Sequence, residues 1–323
     1  MPVRTGSTRN GGSPEDVLVG GQAVIEGVMM RTPHACAVAV RRADGTIESR
    51  TEGVRRLADY WRPLGWPLVR GFAVLVQSLA LGIRCLNYSA GIAMRDAERA
   101  AGEGAAARGG RKENALVLIS MAVAAAAAVF LFVLAPLWIT TGLKAHLAAL
   151  HDWLFFNLID GLIRVAFFLG YLLLISRLKD IGRVFQYHGA EHKVVHAWEA
   201  GEELTVEKAR GRSRLHPRCG TSFLLFVMVV SIVVFSLVKL NAFWAVFLSR
   251  LLLIPVIAGL SYELIRVSAK RCRSGFFRLV VLPGLMLQRV TTREPDDGQL
   301  EVAVYSLRAA LQLDAARASQ AAA

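Results

Sequence analysis

Four apolar runs, each close to the length of a bilayer crossing, constrain this chain more than any other feature. They cover Ala115 to about Thr141, Trp153 to Ile175, Thr221 to Val238 and Ala242 to Tyr262. A helix rises about 1.5 Å per residue, so roughly 20 apolar residues cross the hydrocarbon core. The apolar share of 54% is collected in these blocks rather than spread along the chain, which is unlike an ordinary globular domain. The sequence therefore predicts a mainly α-helical membrane protein with about four transmembrane helices over residues 115–262. Pro136 and Pro255 fall inside the first and last runs and predict kinks there.

Charge orients the bundle. The 142–152 connection and the Lys239-Leu240-Asn241 hairpin carry one Lys each, whereas residues 176–220 carry nine Lys or Arg. Cationic loops stay in the cytoplasm, so both termini and the 176–220 loop are placed on that side of the cell's inner membrane. The net charge of +13 has the same origin. With no nucleic-acid motif in the chain, the partners it predicts are the bilayer and anionic lipid head groups. Cys36, Cys85, Cys219 and Cys272 form no CxxC pair and are read as reduced thiols rather than a disulfide framework.

Outside the runs, residues 1–16 are polar, lack the apolar core of a signal peptide and read as a disordered leader. Residues 17–62 read as a small β-containing cytoplasmic element. Within it, His34 to Arg42 and Thr46 to Thr51 are predicted as a hairpin turned by Asp44-Gly45. In residues 67–94 the uninterrupted apolar stretch, Gly71 to Ile83, is short for a crossing and predicts an interfacial or re-entrant helix. A charged linker follows at 95–114. In the cytoplasmic region 263–323, Pro283-Gly284 marks a short turn. Asp296 and Asp297 then introduce an amphipathic helix, Gln299 to Leu313, whose apolar face carries Leu300, Val304, Leu307 and Leu311. The Ala-rich end is expected to fray.

The chemistry is concentrated between the second and third runs. His188, His192 and His196 recur every four residues, so on a helix they share a face, and His188 to His192 spells H-x-x-E-H. Two imidazoles four apart can grip one zinc ion, with Glu191 as general base on an activated water. His216 and Cys219 add borderline and soft donors just before the third run. Glu263, at the end of the fourth, is a further carboxylate ligand candidate. Two plainer readings stand beside this one. The histidines can be polar loop residues satisfied by hydrogen bonds, or His188, His192, His216 and Cys219 can close a structural zinc site with no open position.

Arg210, Arg212, Arg214 and Arg218 can hold an anionic substrate group or simply mark a solvated cytoplasmic face. Asp160 and Arg164, four apart, are either an intramembrane ion pair or two residues that snorkel to the interface. Glu26 and Arg31 flank Gly27 with no role decided by sequence.

Five blocks then match a known family: GGQAVIEGVMMR (20–31), FQYHGAEHK (185–193), HPRCGTSFL (216–224), SYELIR (261–266) and TTREPDDGQLEVA (291–303). In order and over about residues 18–313, the chain resembles the YqhQ-like family of bacterial multi-pass membrane proteins, which are labelled metal-dependent enzymes from their motif. The resemblance implies a metal enzyme whose label rests on His188, Glu191, His192, His216 and Cys219. Glu26, Arg31, Glu263, Arg293 and Glu294 fall in its other blocks.

The expectation is a zinc-dependent hydrolase at the cytoplasmic membrane surface. Its alternative is a non-enzymatic scaffold, in which the β element, the basic loops and the C-terminal amphipathic helix receive a membrane-protein partner. A transporter, resting on Asp160, Arg164 and the 71–83 segment, is third.

Overall fold

The computed structural model describes residues 19–55, 57–101, 111–217, 219–270 and 275–322. The leader, residues 102–110 of the linker, Arg218 and Cys272 lie outside the described residues.

The N-terminal element is a four-stranded antiparallel meander, β1 (Gly20–Val24), β2 (Gly27–Arg31), β3 (Ala35–Arg41) and β4 (Ile47–Gly53), in that order. The hairpin expected around Asp44-Gly45 is β3–β4. Asp44 Oδ1 accepts from the Thr46 N–H at 2.9 Å, and Gly45 takes a φ of +85° that its missing Cβ permits. Strands β1 and β2 come from the Gly-rich entry, with Val24 paired to Gly27 across the Ile25-Glu26 turn.

Both faces of this sheet are covered, which is why Ala35–Val40 is buried without alternation. One face, through Val24, Met29, Cys36, Val38 and Val40, meets Leu81, Cys85 and Ile92 of a long helix, α1 (Val69–Ala100). The other, through Val28, Met30, Ala37 and Ala39, meets two further helices, α4 (Lys179–Glu199) and α9 (Asp297–Ala322). α9 opens on a reciprocal cap. Asp296 Oδ1 accepts from the Gln299 N–H at 2.8 Å, and Gln299 Oε1 accepts from the Asp296 N–H at 3.0 Å. Its apolar face is the expected one, with Leu300, Val304 and Leu307 buried. The Ala-rich end expected to fray stays helical to Ala322, in keeping with alanine's helix propensity.

Residues 67–94 differ from the interrupted segment read in the sequence. α1 is one continuous helix of 32 residues and absorbs the first part of the presumed linker. The charges that break its apolar pattern are answered by the sheet. Arg84 pairs with Glu52 at 3.2 Å, Arg95 with Glu48 at 3.3 Å, and Asp96 with Arg42 at 2.6 Å. α1 therefore spends its second half on the sheet.

The remaining helices form a bundle. α2 runs from Arg111 to Lys144 through a π-turn at Phe130–Leu134. Pro136 lacks an N–H and its ring presses on the preceding turn, which the wider π-turn accommodates. α3 (Trp153–Ile175) is N-capped by Asp152. Then come α5 (Gly220–Ser236), α6 (Phe243–Leu252), α7 (Ile254–Lys270) and α8 (Gly275–Thr291). By length and composition Val69–Ala100, Ile119–Lys144 and Trp153–Ile175 can each cross a membrane, and α6 with α7, bent by 46°, can count as a fourth. Two of the expected spans take a different form. The 221–238 run is a helix of only 17 residues, and the 242–262 run breaks at Leu253, next to Pro255. The turn expected at Pro283-Gly284 lies inside α8.

Asp160 and Arg164 are buried in the bundle rather than reaching outward. Arg164 Nη2 donates to Asp160 Oδ2 at 2.8 Å, and Arg250 Nη1 donates to the same oxygen. Both guanidiniums lie about 5 Å from the Phe235 ring.

Candidate metal centre

The 176–220 segment, read as a loop, is largely the helix α4, and its apolar face of Tyr187, Ala190, Val194 and Val195 docks on the sheet. Docking leaves the imidazoles facing the stretch 213–219 and the end of α8. Gly189 makes this possible. A Cβ there would overlap the carbonyl oxygen of Arg293, so α4 and the Thr291-Thr292-Arg293 strap come together only without a side chain. The strap is fixed by an Arg293 N–H donating to the Phe185 carbonyl at 2.8 Å.

Each histidine is then oriented by a backbone carbonyl. His188 Nδ1 donates to the Thr291 carbonyl at 2.8 Å, which sets the tautomer and turns the Nε2 lone pair toward Cys219 Sγ, 3.2 Å away. His192 Nδ1 donates to the Arg214 carbonyl at 2.6 Å. Its Nε2 is buried and has no hydrogen-bond partner among the described residues. Burial is the main cause holding the His192 pKa below the usual imidazole range, and the His188 charge adds to it. The ring is therefore kept in its neutral, ligand-competent form. Cys219 is the N-cap of α5 and accepts from the Thr221 N–H at 3.4 Å.

The donor atoms of His188, His192 and Cys219 lie within 4.8 Å of one another, and so do those of a second group, His196, Glu199 and His216. The groups adjoin, with the His192 and His216 rings 5.6 Å apart. His216 Nε2 faces Glu199 at 3.1 Å, His196 Nε2 donates to the Leu215 carbonyl at 2.9 Å, and the buried Gln288 clamps the His216 backbone through two 2.7 Å bonds.

The structure thus brings together three of the five metal ligands expected from sequence, His188, His192 and Cys219. His216 joins the neighbouring group. Glu263 joins neither, because Arg70 binds its carboxylate in a bidentate pair, both bonds 2.6 Å. Glu199 was missed, although it stands three residues after His196 and so faces the same way on α4. Glu26 is held by Arg183 in a bidentate pair at 2.5 Å, and Arg31 reaches Ser78 at 3.1 Å. The three described arginines of the run are engaged within the chain: Arg210 pairs with Asp297, Arg212 with Glu202, and Arg214 donates to Thr292.

Glu191 is buried against β1. A Cβ on Gly21 would come within 2.8 Å of its Cγ and 2.6 Å of the Met29 carbonyl oxygen. Burial pushes its carboxyl above the usual carboxylate range, against the opposing fields of His188 and His216. The folded state therefore keeps a proton that the unfolded chain releases. Stability falls as pH rises from the ordinary carboxylate range toward the raised pKa. Metal-free Glu191→Gln protein is expected to melt higher than wild type at neutral pH, with the gap closing below about pH 4. Melting curves over pH in chelator check this.

A His/His/Cys donor set with borderline-to-soft ligands, each imidazole positioned by a carbonyl and one nitrogen buried without a partner, fits a zinc-type ion.

Residues 66–313 match the family described as "Protein of unknown function (DUF1385)". The chain belongs to this family. It is also 35% identical over 299 residues to "Uncharacterized protein YqhQ" of Bacillus subtilis (strain 168), covering 92% of this chain and 93% of that one. No solved structure matches. The family match takes in both histidine groups, α1 and the strap, while all four strands of the sheet lie before it.

Proposed function

We propose that the chain is a metal-dependent hydrolase held in the cell's inner membrane, with its histidine groups on the cytoplasmic side. The observation that carries this is the buried Nε2 of His192, without a hydrogen-bond partner among the described residues and set beside His188 Nε2 and Cys219 Sγ. His188, His192 and Cys219 would hold zinc. When bound there, zinc supplies Lewis acidity that polarises a carbonyl or phosphoryl oxygen and acidifies water. Glu191, next to His192 in the chain, would take the proton from the attacking water.

Substrate class follows from a cavity of about 690 Å³ walled by Gly21, Gln22, Arg31, Arg70 and Arg266. Glu191 packs on Gly21, part of that wall. Arg70 is held by Glu263, so Arg31 and Arg266 are the cations that favour an anionic substrate, and the exposed Tyr60, Trp61 and Trp66 beside the start of α1 suit the membrane interface. Bilayer placement is supported by the outward apolar side chains of the bundle, Trp138, Leu174, Val233 and Trp244 among them. α1, a continuous helix docked by its second half on the sheet and tied to it by ion pairs, lies at the interface rather than crossing. The apolar face of α9, which a scaffold would offer to a partner, is instead buried on the sheet, and this favours the catalytic reading.

The test is zinc-loaded, detergent-purified protein against chromogenic carboxylic esters, phosphoesters and peptides. One class should be hydrolysed by wild type, with rates lower by roughly 100-fold or more in Glu191→Gln. Equal rates in the two proteins, or zinc-independent turnover, would overturn the reading.

A further inference from the structure

At the other end of the bundle from the histidines lies a second cavity, of about 150 Å³. α5 connects the two places: its N-cap Cys219 belongs to the metal centre, while Phe235, 16 residues on, lines this cavity, a separation of about 24 Å along a helix. The polar side chains of the lining include Lys144, His151, Asn157, Asn241, Ser249 and Arg250, and no carboxylate is among the lining residues.

Behind this wall the buried charges do not balance. Asp160 carries the single negative charge between the guanidiniums of Arg164 and Arg250, which leaves one positive charge in excess, since arginine stays protonated. All three side chains are nearly solvent-free, Arg250 and Asp160 at 1% and Arg164 at 8%. Arg250 reaches Asn157 Oδ1 at 3.3 Å, but its Nε has no hydrogen-bond partner among the described residues. Lys144 rests on the Phe156 ring at 5.8 Å, and no described carboxylate pairs with it. Asp152 is engaged in capping α3. An excess charge buried in an apolar bundle is costly unless a counter-charge joins it.

We propose that this cavity is a binding site for a single phosphate-class oxyanion. The ligand's charge neutralises the excess on the Asp160–Arg164–Arg250 cluster, Lys144 and His151 hold it from the mouth, and Asn157, Asn241 and Ser249 offer hydrogen bonds. The space is equivalent to about five waters at roughly 30 Å³ each, enough for a phosphate but not for a bulky head group, so a lipid would insert only its phosphate. This inference stands apart from the hydrolase reading. The metal centre can fail without touching it, and the reverse also holds.

The experiment uses the full chain purified in detergent and stripped of lipid. It is titrated with inorganic phosphate and, separately, with short-chain phosphatidylglycerol below its micellar concentration, by calorimetry and by the shift in melting temperature. Saturable binding of at least one probe, near one per chain, is expected. Affinity should fall about tenfold in Lys144→Gln, the loss of one charge-assisted contact. Tighter binding of the lipid assigns the site to a head group, and tighter binding of inorganic phosphate assigns it to the free anion. Arg250→Gln should abolish binding, and Lys144→Gln keeps the test decisive if that variant does not fold. Saturation by neither probe, or equal affinity in wild type and Lys144→Gln, would overturn the proposal.

Discussion

Asp160→Asn is expected to cost about 3–5 kcal/mol of stability, the loss seen when one partner of a buried charge cluster is removed. The side chain keeps its size and one acceptor, so packing changes little, but Arg164 and Arg250 are left facing each other without their shared carboxylate. Neither guanidinium can shed its proton, and neither can leave a site about nine-tenths or more buried. The double variant Asp160→Asn/Arg164→Gln restores the cluster's net charge. It is expected to be more stable than the single one, the reverse of additivity. Thermal unfolding in detergent, followed by tryptophan fluorescence, measures both. A single variant as stable as wild type would show that the cluster is solvated.

Gly189→Ala should be almost as damaging. The added methyl group meets backbone, the Arg293 carbonyl, rather than a side chain that can swing aside. The helix α4 must back away from the 291–293 strap, and overpacking of this kind costs about 1–3 kcal/mol or more. The same displacement takes the Thr291 carbonyl from His188 and loosens the imidazole. Metal affinity is expected to fall roughly 10- to 100-fold, as for other lost orienting partners of metal ligands. Zinc titration of the folded variant with a competing chromophoric chelator reads the effect. Unchanged affinity would mean that the carbonyl does not orient His188.

What the sequence made legible was what local chemistry determines. Asp44-Gly45 announced its hairpin, Asp296 its cap, and the four-residue spacing of His188, His192 and His196 a shared helix face, because each signal lies within a few residues. Features set by distant partners were illegible. Arg84 looked like an interruption of an apolar segment, and Asp96 like part of a charged linker, until the structure paired them with Glu52 and Arg42. Strand β2 gave no alternating pattern because both its faces are covered, and β1 gave none because Gly20 and Gly21 carry no side chains to alternate. Glu263 looked available as a ligand because nothing local announces Arg70, 193 residues away in the chain. The division of the histidines into two groups was hidden for a similar reason. It depends on how the 213–219 stretch lays the carbonyls of Arg214 and Leu215 against α4.

The central claim is that His188, His192 and Cys219 hold a metal ion, and metal content of the purified protein tests it most directly. Protein purified in zinc-supplemented buffer, desalted and analysed by elemental mass spectrometry should carry about one tightly held zinc per chain at this donor set. The zinc should persist in Glu191→Gln, which leaves the donors in place, and in Glu263→Gln, whose carboxylate belongs to Arg70. It should be lost in His192→Ala. Wild type without zinc, or His192→Ala with its full complement, would contradict the account.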